Sequence, residues 1–573
     1  MNTITTFLRN ISFFLLLLLI SCKQLTETST TQAVPEVGLI TDKAMVVSAH
    51  PLASKVGVDI MKKGGNAIDA AIAVQYALAV VYPTAGNIGG GGFMVIRKAD
   101  GEVNTLDFRE KAPAAADRDM YLDENGEVIA DLSWLGHLAA GVPGSVNGMF
   151  KAHEKYGSLP MKDLIQPAID LAAKGFKLTE KEAKGLNRVK ERFAKYNTIP
   201  SIFEQKEEWK TGEKIKMSDL AQTLERIRDN GNAGFYEGET AKLIVEEMQR
   251  ANGIMTLEDL KNYEAVWRAP IQGKYRGYDI ISMAPPSSGG IALMQLLESI
   301  EPYPLGTYPY HGTQATHLIT EAERRVYADR ATHLGDKDFY PVPMEGLLQA
   351  NYISSRMENF DPMQASSSDS IHAGSPMIIE SEQTTHFSVV DAEGNAISVT
   401  TTINGGYGAC VVVGGAGFIL NNEMDDFSAK PGEPNKYGLI GAEANAIEAG
   451  KRMLSSMTPT IVAKDGKLFM VTGTPGGSTI ITSVFQSIIN VIDYGMGMQE
   501  SVAAPRIHHQ WKPNLVFHED GALSPEVLAK LGEMGHNMQK RGGIGRLDAI
   551  LVLPDGRLEG GADPRGDDSA QGF

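Results

Sequence analysis

The last third of the chain carries clusters of small polar residues and glycines whose types suit nucleophilic catalysis. Hydroxyl groups serve as nucleophiles, carboxylates and amides hold charged groups, and adjacent glycines leave backbone N–H groups open to an oxyanion. Taken singly, a turn or a helix cap explains each cluster better than a site does. The clusters are Gln383–Thr385, Thr400–Asn404, Asn421–Asp426, Leu454–Met457 and Gly473–Ser478.

A predicted β-hairpin brings members of two clusters together. Residues 385–390 and 397–402 have the composition of two strands, and Asp391–Asn395 has that of the turn between them. Antiparallel partners then have residue numbers that sum to about 787, so Thr384 lies opposite Thr402 or Ile403 and close to Asn404. We therefore expect hydroxyl groups and an amide at the open end of this hairpin.

A threonine hydroxyl is a poor nucleophile until a base accepts its proton, and the sequence shows no evident His or Lys for this task. The α-amine of an N-terminal threonine can act as that base, with a reference pKa of about 7.7–8. A nucleophilic Thr384 therefore requires a cut between Gln383 and Thr384. His386 follows on the same strand face, and its role stays open at this stage.

Composition and missing motifs exclude several other classes of protein. The sequence contains no HExxH or CxxC pair, no GxSxG elbow, no GxGxxG turn after a strand and no GxxxxGK[ST] loop. The chain of 573 residues has a formal net charge of −17, which argues against a nucleic-acid partner. Its 60 glycines exceed the usual share and predict many sharp turns or close backbone approaches.

The N-terminus has the pattern of an export signal. Arg9 precedes an apolar run, Ile11–Ile20, that is too short to cross a hydrocarbon core of about 30 Å. Residues 19–22, Leu-Ile-Ser-Cys, resemble the bacterial lipoprotein signal, which predicts a signal peptide over 1–21 and lipidation of Cys22. Residues 22–43 would then be the lipidated N-terminus and a tether. An ordinary cleaved signal with a coincidental cysteine is the alternative.

From Ala44 onwards, predicted helices and strands are mixed, which indicates an α+β fold built in layers. Leu220, Leu224 and Ile227 share a helix face that ends at Gly231, and Thr256–Asp259 forms a capping box. A Ser-rich stretch, 366–370, is predicted to be an exposed, flexible connector. The other predicted strands are 44–49, 460–463, 468–472 and 549–553, and the other predicted helices are 53–63, 67–82 and 482–494.

Ordered motifs along the whole chain from Ala44 to Phe573 resemble the γ-glutamyltranspeptidase (glutathione hydrolase) family. The resemblance implies the fold of N-terminal nucleophile hydrolases, a four-layer αββα sandwich made of two chains from one precursor. Residues 44–383 would form the large subunit and residues 384–573 the small catalytic subunit. The motifs are Gly64–Ala71, Asn87–Phe93, Leu106–Glu110, Pro285–Gly290, Thr384–Val390, Asn421–Ser428, Leu454–Met457 and Pro475–Ser478.

The resemblance also implies catalytic roles. Thr384 would be both the residue that directs self-cleavage and the nucleophile, and Thr402 would hydrogen-bond it. The backbone N–H groups of Gly476 and Gly477 would bind the oxyanion of the tetrahedral intermediate. No metal ion and no organic cofactor are implied.

Substrate-binding roles follow from the same resemblance. Arg109 would clamp the substrate α-carboxylate with help from Ser455 and Ser456, while Asp426, Glu423 and Asn404 would hold the α-ammonium. Position 423 is Glu or Gln among relatives, and Glu adds negative charge beside the ammonium. Tyr437 resembles the gating tyrosine of a lid loop.

Each substrate-binding role has a structural alternative. Arg109, between Asp107 and Glu110, could form a surface ion pair. Asp425 and Asp426 cannot be told apart by sequence alone, and Ser455-Ser456 could cap a helix.

The implied reaction transfers the γ-glutamyl group of glutathione and other γ-glutamyl compounds to water or to amino acid and peptide amines. The implied enzyme is an exported heterodimer of large and small subunits, periplasmic or on the cell surface, held to the membrane by lipid. Two alternatives remain. One is a related acylase of the cephalosporin acylase or poly-γ-glutamate hydrolase type; the other is a non-catalytic lipoprotein that binds amino acids or peptides and is never cut.

Overall fold

The structure is a computed structural model that describes residues 37–374, 385–430 and 443–573. The described residues belong to one compact unit that begins at Val37. Within these ranges, no helix combines the length and the apolar character that a membrane crossing requires.

Helices occur in two groups, one before residue 262 and one after residue 288. Their bounds are α1 (Pro51–Lys62), α2 (Ala67–Val81), α3 (Ser145–Tyr156), α4 (Met161–Lys174), α5 (Glu180–Tyr196), α6 (Ser218–Asn230), α7 (Ala233–Tyr236), α8 (Gly238–Arg250), α9 (Leu257–Lys261), α10 (Gly289–Ile300), α11 (Thr313–His333), α12 (Met344–Leu347), α13 (Ala350–Met357), α14 (Thr479–Ile492), α15 (Met498–Ala503) and α16 (Pro525–Glu533). Short 3-10 helices span His137–Ala139, Ile202–Glu204, Leu305–Thr307, Glu423–Asp426 and Glu443–Asn445.

Strands are distributed along the whole described chain. Their bounds are β1 (Leu39–Thr41), β2 (Met45–Ser48), β3 (Gly91–Arg97), β4 (Val103–Asp107), β5 (Phe176–Lys177), β6 (Lys214–Ile215), β7 (Val266–Arg268), β8 (Ile271–Tyr275), β9 (Tyr278–Ser282), β10 (Thr385–Val390), β11 (Ala396–Thr402), β12 (Thr460–Lys464), β13 (Lys467–Thr472), β14 (Ile507–His508), β15 (Val516–His518), β16 (Met538–Lys540), β17 (Asp548–Val552), β18 (Leu558–Ala562) and β19 (Ser569–Gly572).

Two antiparallel sheets of seven strands form the centre of the molecule. The first sheet has the order β19-β2-β10-β11-β3-β4-β7, and the second has the order β1-β18-β17-β13-β12-β9-β8. Val47, Val95, Ile461 and Val471 belong to the apolar cluster that fills the space between the sheets. The two sheets therefore pack face to face, as in a sandwich.

Helices cover the outer face of each sheet. A large core joins α1–α8 to the outward side chains of the first sheet, such as Met94 and Phe387. A second core joins α10, α11 and α14 to those of the second sheet, such as Val462 and Met470. The layers therefore run helix, sheet, sheet, helix, which confirms the predicted αββα fold class.

The predicted hairpin forms with its predicted turn. The Asp391 carboxylate accepts hydrogen bonds from the backbone N–H groups of Glu393 and Asn395 at 3.1 and 2.9 Å, and Gly394 takes a φ of 88°. Thr385 pairs with Thr401 and Val390 with Ala396, which is the first of the two registers that the sequence allowed.

Glycines let β3 lie close to its neighbours at the same end of the first sheet. A Cβ atom on Gly90 would lie 1.9 Å from the Thr402 carbonyl oxygen, and one on Gly91 would lie 2.5 Å from the Phe108 carbonyl oxygen. No side chain fits at such distances. The glycine run before Phe93 is therefore needed to bring the end of β11 next to the chain that leaves β4.

Two segments differ from what their composition predicts. Part of the segment assigned to the tether, Leu39–Thr41, forms β1 and pairs with β18 at the edge of the second sheet. The Ser-rich connector is not uniformly exposed, because Ser368 is buried and its hydroxyl accepts a hydrogen bond from Arg324. Arg325 likewise donates to the Ser366 hydroxyl at 3.1 Å.

Candidate active site

Arg109 follows directly after β4, and the backbone around it is fixed from two sides. The Asp107 carboxylate accepts a hydrogen bond from the Arg109 backbone N–H at 2.9 Å, and the Tyr263 hydroxyl donates to the Arg109 carbonyl at 2.8 Å. The residue is only 1% exposed. The surface ion pair that the sequence allowed is therefore wrong.

The Arg109 guanidinium binds two of the predicted carboxylates at once. One terminal nitrogen donates to Glu423 and the other to Asp426. The carbonyl groups of Met453 and Leu454 accept from the same guanidinium at 3.2 and 3.1 Å. The planar donor fork of arginine matches such a set of acceptors.

The short helix Glu423–Asp426 directs the two adjacent aspartates, Asp425 and Asp426, to different partners. Asp426 turns towards Arg109, whereas Asp425 accepts a hydrogen bond from the Ser133 hydroxyl at 2.5 Å. The structure thus distinguishes the two aspartates that the sequence could not. Asn421 holds the start of this helix, since its side-chain oxygen accepts from the Glu423 backbone N–H at 3.0 Å.

Burial controls the protonation of the acids around Arg109. Glu110 is fully buried, with a carboxylate oxygen 3.6 Å from the guanidinium, and burial raises its pKa to about 8 even though Arg109 opposes the shift. Burial likewise raises the pKa of Glu423 well above its ordinary value, again against Arg109. Burial alone would lower the pKa of Arg109, but the charges of Glu423 and Asp426 outweigh it and raise that pKa.

Ser455 and Ser456 follow the two carbonyl groups that bind Arg109. The Ser455 N–H donates to the Pro286 carbonyl at 2.8 Å, and its own carbonyl accepts from the Ser288 N–H at 2.6 Å. The Ser456 hydroxyl accepts a hydrogen bond from Arg330. No helix begins at this pair within the described residues around it, so the predicted alternative of a helix cap is wrong.

Thr402 and Asn404 lie where β11 ends. The Thr402 hydroxyl oxygen accepts from the Asn404 backbone N–H at 2.7 Å, and Asn404 takes a φ of 62°. The Asn404 side-chain amide donates to the Asn422 carbonyl at 2.9 Å, which links it to the chain just before Glu423. Its side-chain oxygen is buried and accepts no hydrogen bond from a described residue.

Gly476 and Gly477 lie immediately before α14, with φ angles of 142° and 69°. Neither backbone N–H donates a hydrogen bond to a residue in the described ranges. A Cβ atom on Gly476 would lie 2.5 Å from the Thr479 hydroxyl oxygen. The pair therefore presents N–H groups at a helix N-terminus, the usual position for binding an anion.

The structure brings most of the predicted site residues together. Direct hydrogen bonds join Arg109 to Glu423 and Asp426, while Asn404 and Gly476 line one cavity of about 220 Å³. Three predicted functional residues lie outside the described residues: Cys22, Thr384 and Tyr437.

His386 is buried and lies within hydrogen-bond distance of two hydroxyl groups. Its ring nitrogens lie 3.0 Å from the Thr400 hydroxyl and 3.1 Å from the Ser388 hydroxyl, all three side chains lying between the sheets. Burial lowers its pKa to about 3, so the ring is neutral and both nitrogens are engaged. This arrangement favours a packing role over that of a general base.

Sequence reasoning missed Arg330, which binds Ser456 and lies 3.1 Å from the Ser288 hydroxyl. It projects from α11, three residues after Tyr327, whose hydroxyl donates to the Ser478 carbonyl. Positions i and i+3 share one helix face. The charged and aromatic pair at this spacing was the available signal, but nothing in the sequence shows what that face contacts.

One group of potential metal ligands lies elsewhere in the described chain. His317, Glu321 and His536 have ligand atoms within 4.8 Å of one another. The facing ring nitrogens of His317 and His536 are 2.7 Å apart, as in a hydrogen bond, and Glu321 already accepts from Arg324 and Arg325. A metal ion would have to displace these bonds beside two guanidinium groups, so the residues fit a metal ion poorly.

Comparisons with known proteins cover nearly the whole chain. The family model described as gamma-glutamyltranspeptidase matches residues 53–573. The glutathione hydrolase proenzyme of Escherichia coli (strain K12) is 47% identical over 539 residues, which is 93% of this chain and 92% of that protein.

Two solved structures are similar in fold. A cephalosporin acylase from Bacillus halodurans has a TM-score of 0.83 at 26% identity and covers 96% of this chain and 99% of its own. A gamma-glutamyltranspeptidase chain from Helicobacter pylori has a TM-score of 0.56 at 44% identity and covers 60% of this chain and 96% of its own.

Proposed function

Because the chain belongs to the γ-glutamyltranspeptidase family, we propose that it is a γ-glutamyltransferase and glutathione hydrolase that cleaves itself before Thr384. Its donors would be glutathione and other γ-glutamyl compounds, and its acceptors would be water or the amines of amino acids and peptides. The 47% identity with a glutathione hydrolase proenzyme supports this substrate class.

The observation that carries the proposal is the buried constellation around Arg109. The α-carbon of a γ-glutamyl donor bears one carboxylate and one ammonium group, which together form a zwitterion. Such a group can exchange partners with the internal ion pairs: its carboxylate replaces Glu423 and Asp426 at the guanidinium, and its ammonium binds the acids so released. Both charges remain compensated, which a buried site requires.

Ser455, Ser456 and Asn404 complete the proposed donor site. The two serine hydroxyls would hydrogen-bond the substrate α-carboxylate beside Arg109. The Asn404 side-chain oxygen would accept from the α-ammonium, consistent with its lack of a described partner. An amine or a carboxylate missing from the substrate would leave part of this set unpaired, at a cost of about 1–3 kcal/mol per buried group.

The proposed reaction proceeds through an ester. The α-amine of Thr384 accepts the hydroxyl proton while Oγ attacks the γ-amide carbonyl, and the N–H groups of Gly476 and Gly477 bind the oxyanion. Collapse breaks the C–N bond, the leaving amine takes the proton, and a γ-glutamyl ester forms on Thr384. Water or an acceptor amine then attacks the ester and restores the threonine hydroxyl.

Thr402 and Tyr437 have supporting roles in this proposal. Thr402 would hydrogen-bond the Thr384 hydroxyl, and its position at the end of β11 supports that role. Tyr437 would close the donor site as part of a lid.

Export and lipidation form a separate part of the proposal. Residues 1–21 would direct export, and Cys22 would carry the lipid that anchors the enzyme at the periplasmic or cell-surface side of a membrane. Mass spectrometry of the N-terminal peptide tests this directly. A lipid-modified Cys22 is expected, whereas an unmodified N-terminus at another residue would contradict the anchor.

A related acylase is the second candidate, favoured by the close fold match to a cephalosporin acylase. The higher identity with glutathione hydrolases and the intact Arg109 set argue for a free α-amino acid group on the donor. Steady-state kinetics decide between them. We expect a larger kcat/KM for glutathione than for glutaryl amides, and the reverse order would favour the acylase.

A non-catalytic binding lipoprotein is the remaining alternative. It predicts ligand binding by an uncut chain, so a denaturing gel with N-terminal sequencing separates it from both enzymes.

A further inference from the structure

A cavity of about 220 Å³ adjoins the proposed oxyanion site. Its wall includes Gly476, Asn404, Tyr82, Gly545 and Arg546. A few tens of Å³ suffice for one water molecule, so the cavity can admit an amino acid or a small peptide. It therefore has the place and the size for a reactant beside Gly476.

The charge on the cavity wall has one sign. Among the described residues that line the cavity, Arg546 is the only one with an ionisable acidic or basic side chain other than the Tyr82 phenol. Its side chain is 16% exposed, whereas that of its ion-pair partner Asp568 is fully buried. The cavity wall therefore carries one cationic side chain, and the balancing anion lies behind it.

Arg546 is held rigidly in this position. Its backbone N–H donates to the Thr474 hydroxyl at 2.6 Å, and a terminal guanidinium nitrogen donates to the Tyr82 hydroxyl at 2.8 Å. The guanidinium also lies over the Tyr82 ring, 4.9 Å from its centre. Nε lies 2.9 Å from the Asp568 carboxylate. A fixed guanidinium recognises a carboxylate with little loss of side-chain entropy.

The two acids that act on Arg546, Asp548 and Asp568, do not line the cavity. Asp548 is completely buried, and the side chain of Asp568 is not exposed either. Burial raises the pKa of both acids, and repulsion by Asp568 raises that of Asp548 further, while the charge of Arg546 opposes both shifts. The ion pair between Arg546 and Asp568 therefore lies on the side of the guanidinium away from the cavity.

We propose that this cavity is the subsite for the amine-side group of the reaction, and that Arg546 binds the carboxylate of the leaving peptide and of the acceptor amino acid or peptide. The inference rests on the proposed function. An acceptor held by its carboxylate at Arg546 has its amine directed towards a γ-glutamyl carbonyl whose oxygen faces Gly476. The amine nitrogen then forms the new amide bond, the ester C–O bond breaks, and the proton from the amine passes to Thr384 Oγ, which restores the hydroxyl.

The test compares two acceptors that differ only in charge. With a γ-glutamyl anilide as donor, transfer to glycylglycine and to glycylglycinamide is measured for the unmodified enzyme, Arg546→Gln and Arg546→Lys. We expect the unmodified enzyme to prefer the carboxylate by roughly tenfold or more in kcat/KM, because a charged hydrogen-bonded pair is lost with the amide. In Arg546→Gln the ratio of kcat/KM for glycylglycine to that for glycylglycinamide should fall to near one. In Arg546→Lys the ratio should lie between those of the unmodified enzyme and Arg546→Gln.

Controls separate recognition from folding. The ratio is measured within one preparation, so it does not depend on the fraction of folded enzyme. The double variant Arg546→Gln/Asp568→Asn removes both charges. Its acceptor preference is measured instead if the single variant is unstable. Arg557→Gln, at an exposed arginine paired with Asp555, is the matched control and should keep the ratio of the unmodified enzyme.

The outcomes distinguish the inference from the proposed function. An unchanged preference for the carboxylate in both Arg546→Gln and the double variant overturns the subsite. If the unmodified protein releases no product from a γ-glutamyl anilide, the proposed function itself fails.

Discussion

At the scale of single residues, the site is a set of charges that satisfy one another inside the protein. Arg109 binds Glu423 and Asp426 with both of its terminal nitrogens, and Glu110 adds a third buried acid nearby. Burying such a network of charges costs free energy, and the network can serve substrate binding if a zwitterion replaces the internal partners. Two predictions follow from this view of Arg109 and Glu110.

Replacing Arg109 by Lys should weaken donor binding strongly. Lysine keeps the charge but loses the planar fork that reaches Glu423, Asp426 and two carbonyl groups. We expect kcat/KM for a γ-glutamyl anilide to fall by roughly 100-fold, in line with about 2–3 kcal/mol for a lost charged hydrogen-bond pair. Arg118→Lys, at an exposed arginine that binds Glu443, is the control. Equal kinetics for the two variants would contradict the role of Arg109.

Replacing Glu110 by Gln should change how stability depends on pH. The folded-state pKa of Glu110 is raised to about 8, above an unfolded value near 4.3. A carboxyl group of this kind favours the folded state below the unfolded pKa, and this stability is lost as pH rises through the folded pKa. Between about pH 5 and 8, the melting temperature of the unmodified protein should therefore fall more than that of Glu110→Gln. Glu124→Gln, on the surface, should follow the unmodified protein, and parallel curves for all three would refute the prediction.

At the scale of elements, helix ends and hairpins position the chemistry. The N-terminus of α14 presents Gly476, where a Cβ atom would lie 2.5 Å from the Thr479 hydroxyl oxygen. Gly476→Ala should therefore displace one oxyanion donor and lower kcat by about 10²–10³-fold, with a smaller change in KM for the donor. Presteady-state and steady-state kinetics measure both. Gly466→Ala, at a turn with a φ of 74° and open space around it, is the control for an alanine at positive φ. An equal loss of kcat in that variant would contradict the role of Gly476.

Helix α8 ties the outer helical layer to the chain around Gly414. Buried Glu247 accepts hydrogen bonds from Thr198, Arg250 and the Gly414 N–H, and a nitrogen of His137 lies 2.9 Å away. Burial alone would raise its pKa, but the hydrogen bonds outweigh it and lower the pKa to about 2.

Glu247→Gln should lower the free energy of unfolding by about 2–3 kcal/mol at neutral pH. A carboxyl group whose pKa is lowered in the folded state stabilises that state at pH values above its unfolded-state pKa. The difference in unfolding free energy between the two proteins should therefore shrink as pH falls from about 4.3 towards 2. Thermal unfolding against pH measures it, with the exposed neighbour Glu246→Gln as control. A constant difference down to pH 2 would contradict the assignment.

Local signals in the sequence were sufficient for much of the fold. The strands Thr385–Val390 and Ala396–Thr402 follow from side-chain composition and from the Asp-Gly-Asn turn chemistry between them, and α6 ends at Gly231 as predicted. The Ser-rich segment was misjudged because composition cannot show that Arg324 and Arg325 bind its hydroxyls. The contact of Arg330 with Ser456 was missed for the same reason, since it depends on how α11 packs.

The candidate site was predicted mainly through the family resemblance. The types of Arg109, Asp426 and the glycine pair suit acyl transfer, but their spacing in sequence is too long for local rules to join them. Their hydrogen-bond partners separate Asp426, which binds Arg109, from Asp425, which binds Ser133. Burial excludes the surface position for Arg109, and both features depend on how the layers pack.

At the scale of the whole molecule, residues before and after the proposed cut share both sheets. In the first sheet β10 and β11 lie between β2 and β3, and in the second β12 pairs with β9. Each pairing is a ladder of backbone hydrogen bonds between the proposed large and small subunits, and apolar cores join them further. This interleaving explains how a cut at residue 383 can leave a stable heterodimer.

The most direct test of the account is the mass and N-terminal sequence of the chains in the unmodified protein and in Thr384→Ala. Self-cleavage before Thr384 predicts two chains in the unmodified protein, the shorter beginning at Thr384, that separate only on denaturation. It predicts one uncut chain without γ-glutamyl transfer in Thr384→Ala, and slower cleavage in Thr384→Ser, which keeps a hydroxyl. Cleavage at the same bond, or transfer activity, in Thr384→Ala would contradict it.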